Sequence, residues 1–556
     1  MQRWISGFLL LLLTAGLYGQ IPQKPKLVVG IVVEQLRYDY LARHDNLLGP
    51  SGFKRMIFEG TDCRNAFHRH FVTQSGPGHA TISTGSYPQF HGITGDEWFV
   101  HLQNRSVFCI ADENENTVGG ASFEAGRMSP RNLYTTTLGD ELRLSSQSRS
   151  KVVSLSMNPV AAVLSGGHSA QEVYWYDDES GQWITSTYYK NEPDLWVKAF
   201  NDSKLADAYL QQTWTPKFTL DEYINCLHDS NPFETGIDAQ ITFPYDFTVL
   251  SRPKSGMLGE LLGNNKRSLD FSKLRCSPMG NAYTKDFAIS AILNLELGQD
   301  EDTDLLLISF SSFREIALRF GLYSIETADA LSRLDDELAG LLRFLDETLG
   351  KDNVLVYLTS DRGMPVKPEY LGSLNLPSGY FSSQSAVSLL KSYLNVVFGE
   401  GEWIKNYYRQ QVYLNHLLIE DKKMDLIQVQ NTVAQFLLQF SGVAGAITAK
   451  TLTSDNFTKG FLDAMQNGFH PKRSGDVILH LLPGWVEKDL DNELLSNSAY
   501  QYDTHVPLIW YGWRVSPGIL QEEIEMTDIA ATLSYFLNIP SPNASEGKPI
   551  YGLTKE

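Results

Sequence analysis

The chain has 556 residues, 42% of them hydrophobic and 20% charged, with no low-complexity tract and no internal repeat. Its 46 Lys and Arg stand against 65 Asp and Glu, a formal net charge of −19. That field excludes nucleic acid and anionic membrane surfaces as natural partners, and the length suffices for a large core.

The chain opens with MQRWISGFLLLLLTAGLYGQ: one cation, Arg3, then an apolar run, then small residues near Gly16 and Gly19. This pattern predicts a signal peptide over residues 1–20, too short to span a bilayer. No cysteine lies nearby to carry a lipid anchor. The expected mature protein is therefore exported, periplasmic or extracellular, with no transmembrane segment. In such an oxidising compartment the four cysteines allow two disulfides, and pairing of sequence neighbours gives Cys63–Cys109 and Cys226–Cys276. No Cys/His spacing suggests a zinc finger.

Short unalternating apolar runs follow in chain order: KLVVGIVV (26–33), KVVSLSM (151–157), DLLLISF (304–310), NVLVYL (353–358), DVILHLL (476–482) and VPLIWYG (506–512). Such runs predict strands buried on both faces, as in parallel sheets covered by helices. Between the third and fourth, residues 324–350 place Ile325, Ala328, Leu331, Leu334, Leu338, Leu341 and Leu345 on one helical stripe closed by Gly350. Strand, helix and strand there make a βαβ unit. Two segments break the rhythm, 169–290 and 366–470, and read as cap insertions in a single domain spanning 21–556.

Five polar stretches fall at predicted strand ends, where open α/β sheets build their sites. They are VVEQLRYDY with Glu34; TQSGPGHATISTGSYPQFHGITGDEW with Ser75, Gly76, Gly78, His79, His91 and Asp96; SFSSFREIALRFG with Arg314 and Leu318; TSDRG with Asp361 and Arg362; and YDTHVPL with His505. Singly, each has an ordinary structural reading as a cap, a salt-bridge partner or a satisfied core histidine. Their order and spacing are less ordinary.

Together with GFKRMIFEG, QWITSTYY, SIETADALSRLD and TDIAATLSYFLNIP, they make the chain similar to the alkaline phosphatase superfamily over nearly its whole mature length. The branch it resembles most holds bacterial periplasmic phosphate monoesterases and nucleotide pyrophosphatase/phosphodiesterases. The resemblance implies a three-layer α/β/α sandwich with a central, mostly parallel sheet and inserted cap segments. It also implies two zinc ions that clamp the attacking and leaving oxygens at phosphorus, with a metal-bound Ser or Thr as nucleophile.

Residue by residue, the carry-over is incomplete. The nucleophile position falls on Ser75. The retained metal-ligand positions are Glu34 (one methylene longer than the Asp of the pattern), Ser75, Asp361 and His505. The other ligand positions are replaced: the Asp-x-x-x-His element by Arg314 and Leu318, and the His after Asp361 by Arg362. Asp96 stands where phosphate monoesterases of this type place an Asn that contacts phosphate. Asn158 and Val160 stand where they carry a Lys and an Arg. A permanent cation beside clustered carboxylates reads as a substitute for missing metal charge.

The expectation from these replacements is a pseudoenzyme that binds no zinc and holds a ligand or an envelope protein partner. The alternative is a hydrolase of phosphate, phosphodiester or sulfate esters, with Ser75 as nucleophile, one or two zinc ions or a rewired site.

Overall fold

The computed structural model describes residues 24–252, 269–488, 494–495 and 497–554. The expected signal peptide lies outside the described residues, and among them no helix is long and apolar enough to cross a membrane.

Ten strands form the central sheet. In chain order they are β1 (Leu27–Val33), β2 (Thr61–Cys63), β3 (Thr117–Val118), β4 (Val152–Ser156), β5 (Glu172–Asp177), β6 (Gln182–Ser186), β7 (Asp304–Phe310), β8 (Val354–Thr359), β9 (Ile509–Gly512) and β10 (Gly518–Leu520). They lie in the order β10-β2-β9-β8-β1-β7-β4-β5-β6-β3. The five middle strands, β8-β1-β7-β4-β5, are parallel. The expected α/β/α layering holds: one large apolar cluster covers each sheet face, with Val29, Ile31 and Val33 of β1 on one side and Val28 and Val32 on the other. Burial on both faces is why these strands carry no polar alternation.

Four helices matter for the site: α1 (Ser75–Thr84), α2 (Pro159–Gly166), α3 (Ser312–Phe320) and α4 (Ile325–Thr348). The predicted stripe of α4 is buried from Ile325 to Leu345, and Ser324 caps it by accepting from Thr327 N. This helix carries the crossover from β7 to β8.

Three expectations change. The run at 476–482 is not part of the parallel sheet: Val477–Leu481 pairs antiparallel with Gln411–Leu414 and Val443–Thr448 in a separate four-stranded sheet that has its own apolar core. An apolar run is equally suited to either sheet, so composition alone could not separate them. The run at 506–512 contributes β9, which is antiparallel to β8. The segment assigned to the first cap begins inside the central sheet, since β5 and β6 fall at its start.

The disulfides are also absent. All four cysteines are free, with Cys63, Cys109 and Cys276 buried. Their surroundings differ: Cys63 lies near Asp62 and Glu522, Cys109 near Asp96, Cys226 near Glu326, and Cys276 near Arg319 and Glu315.

Candidate active site

The parallel strands deliver their next residues to one edge. Glu34 follows β1, Asn158 follows β4, Arg314 opens α3 just after β7, and Asp361 and Arg362 follow β8. Register fixes this convergence: Val32 pairs with both Ser309 and Thr359, and Ser309 pairs with Ser156. Ser75 enters from the side as the first residue of α1. Close approach needs Gly78, because a Cβ there would lie 2.2 Å from the Asp361 carbonyl oxygen.

Asn158 ties the centre together. Its Nδ2 donates to Glu34 Oε1 and Oε2 at 3.1 and 3.0 Å and to Ser75 Oγ at 3.0 Å. Its Oδ1 caps α2 by accepting from Val160 N at 3.0 Å, which holds the amide in place. Ser309 Oγ also donates to Glu34 Oε1, at 3.1 Å. Glu34 and Asp361 are fully buried.

Two guanidiniums balance these acids. Arg362 Nη1 donates to Asp361 Oδ2 at 3.1 Å, and the Arg362 side chain is only 4% exposed. Asp361 Oδ1 accepts from Gln35 N at 2.9 Å. With the Gln35 amide assigned so that its oxygen faces the guanidinium, that oxygen accepts from Arg362 Nη2 and Nε at 3.1 and 3.2 Å. Arg314 Nη1 stands 3.7 Å from Glu34 Oε2 and 3.4 Å from Glu315 Oε1. Leu318, one turn further along α3, packs on the apolar core instead.

Burial raises the Glu34 carboxyl to about 7, helped by the charge of Asp361 and opposed by Arg314, Asn158 and Arg362. In the metal-free protein the folded state therefore holds a proton on Glu34 that the unfolded chain, at 4.5, releases. The sign follows from proton counts: between these values the folded state binds more protons, so its stability falls as pH rises. The gap corresponds to on the order of 3 kcal/mol. Glu34→Gln should remove the Glu34 share of that dependence and leave the share of other buried acids such as Glu172 and Glu487, which burial also raises to about 7. The fall in urea midpoint from about pH 5 to about pH 8 should be smaller for the variant than for wild type; equal falls would show that Glu34 makes no contribution.

Asp96 lies at the mouth of the site and is half-buried. Its Oδ1 accepts from Gly76 N at 2.7 Å, so a carboxylate occupies the first amide of α1 after Ser75. Its own N–H is held by Gln74 Oε1 at 2.8 Å. Tyr408 of the second cap reaches the same spot, its hydroxyl 3.5 Å from Gln74 Oε1.

His505 is placed elsewhere. Its ring is stacked between Tyr38 and Phe67, with centroids 4.5 and 4.6 Å away, and Nε2 is engaged by the Arg64 carbonyl at 2.9 Å. His505 is not among the donors grouped around Glu34 and Asp361, and its Nε2 is engaged by the backbone instead. The imidazole that does join the cluster is His79. Glu34, His79 and Asp361 offer donor atoms all within 4.8 Å of one another. His79 Nε2 is buried without a hydrogen-bond partner, and burial pushes the ring down to about 4, keeping it neutral. Its position i+4 from Ser75 on α1 puts both on one helix face, a signal readable in the sequence. Val160 is buried in the apolar cluster on the β1 Val28/Val32 face of the sheet.

This donor set fits one metal ion, with buried carboxylates and a neutral imidazole as in zinc centres. A second position built from Arg314 and Leu318 does not fit, since neither side chain can ligate.

A family model for type I phosphodiesterase / nucleotide pyrophosphatase matches residues 28–505. The chain belongs to this family. Within it, the chain is 35% identical over 543 residues to alkaline phosphatase PhoV of Synechococcus elongatus, covering 97% of this chain and 94% of that one. It is 33% identical over 533 residues to a Myroides odoratus protein called calcium-transporting ATPase, covering 95% and 94%. Alkaline phosphatase PafA of Elizabethkingia meningoseptica is 32% identical over 551 residues, covering 99% and 98%. The PafA crystal structure superposes with a TM-score of 0.89 at 31% identity, covering 96% and 99%. These similarities place this phosphodiesterase-family chain in the alkaline phosphatase superfamily and confirm the α/β architecture expected from its strand runs.

Proposed function

We propose that the protein is a phosphoester hydrolase with a rewired centre, acting on singly charged esters such as phosphodiesters rather than on phosphate monoester dianions. The observation that carries this reading is the single Asn158 amide bound to both Ser75 and Glu34. It joins a hydroxyl nucleophile to a carboxylate whose proton affinity lies near neutrality, as a general base requires. Full-length similarity to proteins named alkaline phosphatases favours this hydrolase over the pseudoenzyme expectation.

In this scheme Ser75 Oγ attacks phosphorus as its proton passes to a Glu34 oxygen, the bond from phosphorus to the leaving oxygen breaks, and that oxygen takes the proton from Glu34 to depart as the alcohol. Water then attacks the serine phosphoester, giving a proton to Glu34, and the bond from Ser75 Oγ to phosphorus breaks as Oγ takes that proton back. Arg314 faces the developing phosphoryl charge and Arg362 holds Asp361 in position. A metal held by Glu34, His79 and Asp361 would add Lewis-acid polarisation of the phosphoryl oxygen. Charge sets the substrate class. Asp361, Glu34 and Asp96 oppose two guanidiniums, and Asn158 and Val160 supply no cation, so a dianion finds no net positive seat.

A second reading, a non-catalytic ligand-binding member, is favoured by one feature: Asp96 already fills the Gly76 amide that an ester oxygen would need. The test is hydrolysis of bis-aryl phosphate against aryl phosphate by the purified mature protein, with and without chelator. We expect turnover of the diester, a preference for it over the monoester, and a rate that rises with pH through about 7 as Glu34 ionises. No turnover of either ester, with or without added zinc, would leave the ligand-binding reading in its place. Export of the chain is part of the same proposal and rests on residues 1–20 of the sequence.

A further inference from the structure

We propose that His101, His416 and Asp476 form a second transition-metal site, of the class filled by zinc, that pins the second cap to the body of the protein. It is separate from the centre around Ser75 and does not depend on the function proposed for it.

The three residues come from distant parts of the chain. His101 follows Glu97–Val100 in a β-hairpin closed by Arg105–Phe108. His416 opens the helix His416–Asp421, and Asp476 immediately precedes the strand Val477–Leu481. Their donor atoms lie within 4.8 Å of one another. His416 Nε2 is 2.8 Å from Asp476 Oδ1, and His101 Nε2 is 4.0 Å from Asp476 Oδ2. The second distance is too long for a hydrogen bond. Zinc bonds of about 2.0–2.2 Å set tetrahedral donors roughly 3.3 Å apart, so 2.8 and 4.0 Å bracket the spacing needed. The two imidazoles are stacked, with centroids 4.4 Å apart, and need only fan apart slightly.

The carboxylate is prepared for this role. Asp476 is buried, its Oδ2 accepts from Leu414 N at 2.8 Å, and its Oδ1 accepts from Gln430 Nε2 at 3.1 Å. Such outer bonds orient a ligand before the metal arrives. The histidine side chains are 31% and 44% exposed and border a cleft of about 770 Å³, which gives an ion a way in and leaves a fourth position for water. Two imidazoles and one carboxylate suit zinc and its neighbours rather than calcium or magnesium. The location gives the site a purpose. Arg473, between the second cap segment and the strand Val477–Leu481, already docks here, with Nη1 donating to the carbonyls of Gly92 and Asn132 and the guanidinium lying over Trp98 and Tyr134. A metal bond across the same junction would lock the cap that carries Tyr408 over the centre.

The experiment uses the mature full chain, stripped with chelator and titrated with zinc alone, for wild type, His101→Ala, the double variant His101→Ala/His416→Ala, and Glu34→Gln. Bound metal is read by elemental analysis and stability by thermal unfolding. Wild type should bind one zinc more than the double variant. Zinc should raise the unfolding temperature of wild type by more than that of the double variant, and Glu34→Gln should keep that extra increment. His101→Ala keeps the His416–Asp476 hydrogen bond and so folds; it should lose at least tenfold in zinc affinity. Equal zinc in wild type and His101→Ala, or a zinc-induced stabilisation that only Glu34→Gln removes, would overturn the proposal.

Discussion

Ser75→Ala should lower hydrolysis of a bis-aryl phosphate by at least about a thousandfold, to the level of buffer, while the folded state loses only about 1 kcal/mol. The two effects separate because Ser75 does little for stability. Its hydroxyl accepts one hydrogen bond, from Asn158, and that amide keeps Glu34 as a partner when the hydroxyl is removed. For catalysis the same hydroxyl is the only nucleophile in the scheme. Loss of the nucleophile cannot be rescued by Glu34 or the arginines, which position and stabilise but form no bond to phosphorus. The measurement is a progress curve with enough enzyme to resolve a rate near background, alongside a urea titration. A Ser75→Ala rate within a factor of three of wild type would eliminate the serine-ester pathway, and with it the hydrolase assignment of this pocket.

Arg362→Ala should destabilise the metal-free protein by about 3–5 kcal/mol, the usual cost of stripping one partner from a buried ion pair. Arg362 is 4% exposed, and the Asp361 carboxylate it contacts is fully buried. Without the guanidinium, Asp361 keeps the Gln35 amide but no compensating charge, with Glu34 close enough to repel it. Adding Asp361→Asn should recover much of the loss, because the charge left stranded disappears. Urea midpoints measured with chelator present read both effects. Added zinc should stabilise Arg362→Ala more than wild type, since a cation at Glu34, His79 and Asp361 would replace the missing charge. A midpoint for Arg362→Ala equal to wild type would refute the idea that arginine stands in for metal charge here.

Several features were determined by the sequence alone. The runs at 26–33, 151–157, 304–310 and 353–358 are largely apolar, as strands covered on both faces are, and with the helical stripe of 324–350 between the last two they made a parallel centre legible. The positions of Glu34, Arg314 and Asp361 just past strand ends were legible for the same reason: chain connectivity puts the residues after each parallel strand on one edge. The replacements by Arg314, Leu318 and Arg362 were visible as residue types, because an arginine or a leucine cannot bind zinc wherever it sits.

Tertiary structure decided what depends on direction and distance between remote segments. His505 adjoins a strand of the sheet, yet Tyr38 and Phe67 sandwich its ring and a carbonyl takes its nitrogen. Nothing local to YDTHVPL encodes those partners. The 476–482 run joined a different sheet, because apolar strands carry no label for their neighbours. The four cysteines are free, a state that their even count and spacing along the chain did not decide. Asn158 emerged as the residue linking Ser75 to Glu34, and His101, His416 and Asp476 as one cluster, only once the folded chain brought three or more segments within a few ångströms. Sequence periodicity reports what each segment buries; which segments meet is set by the packing of the whole chain, and the site's chemistry lies in those meetings.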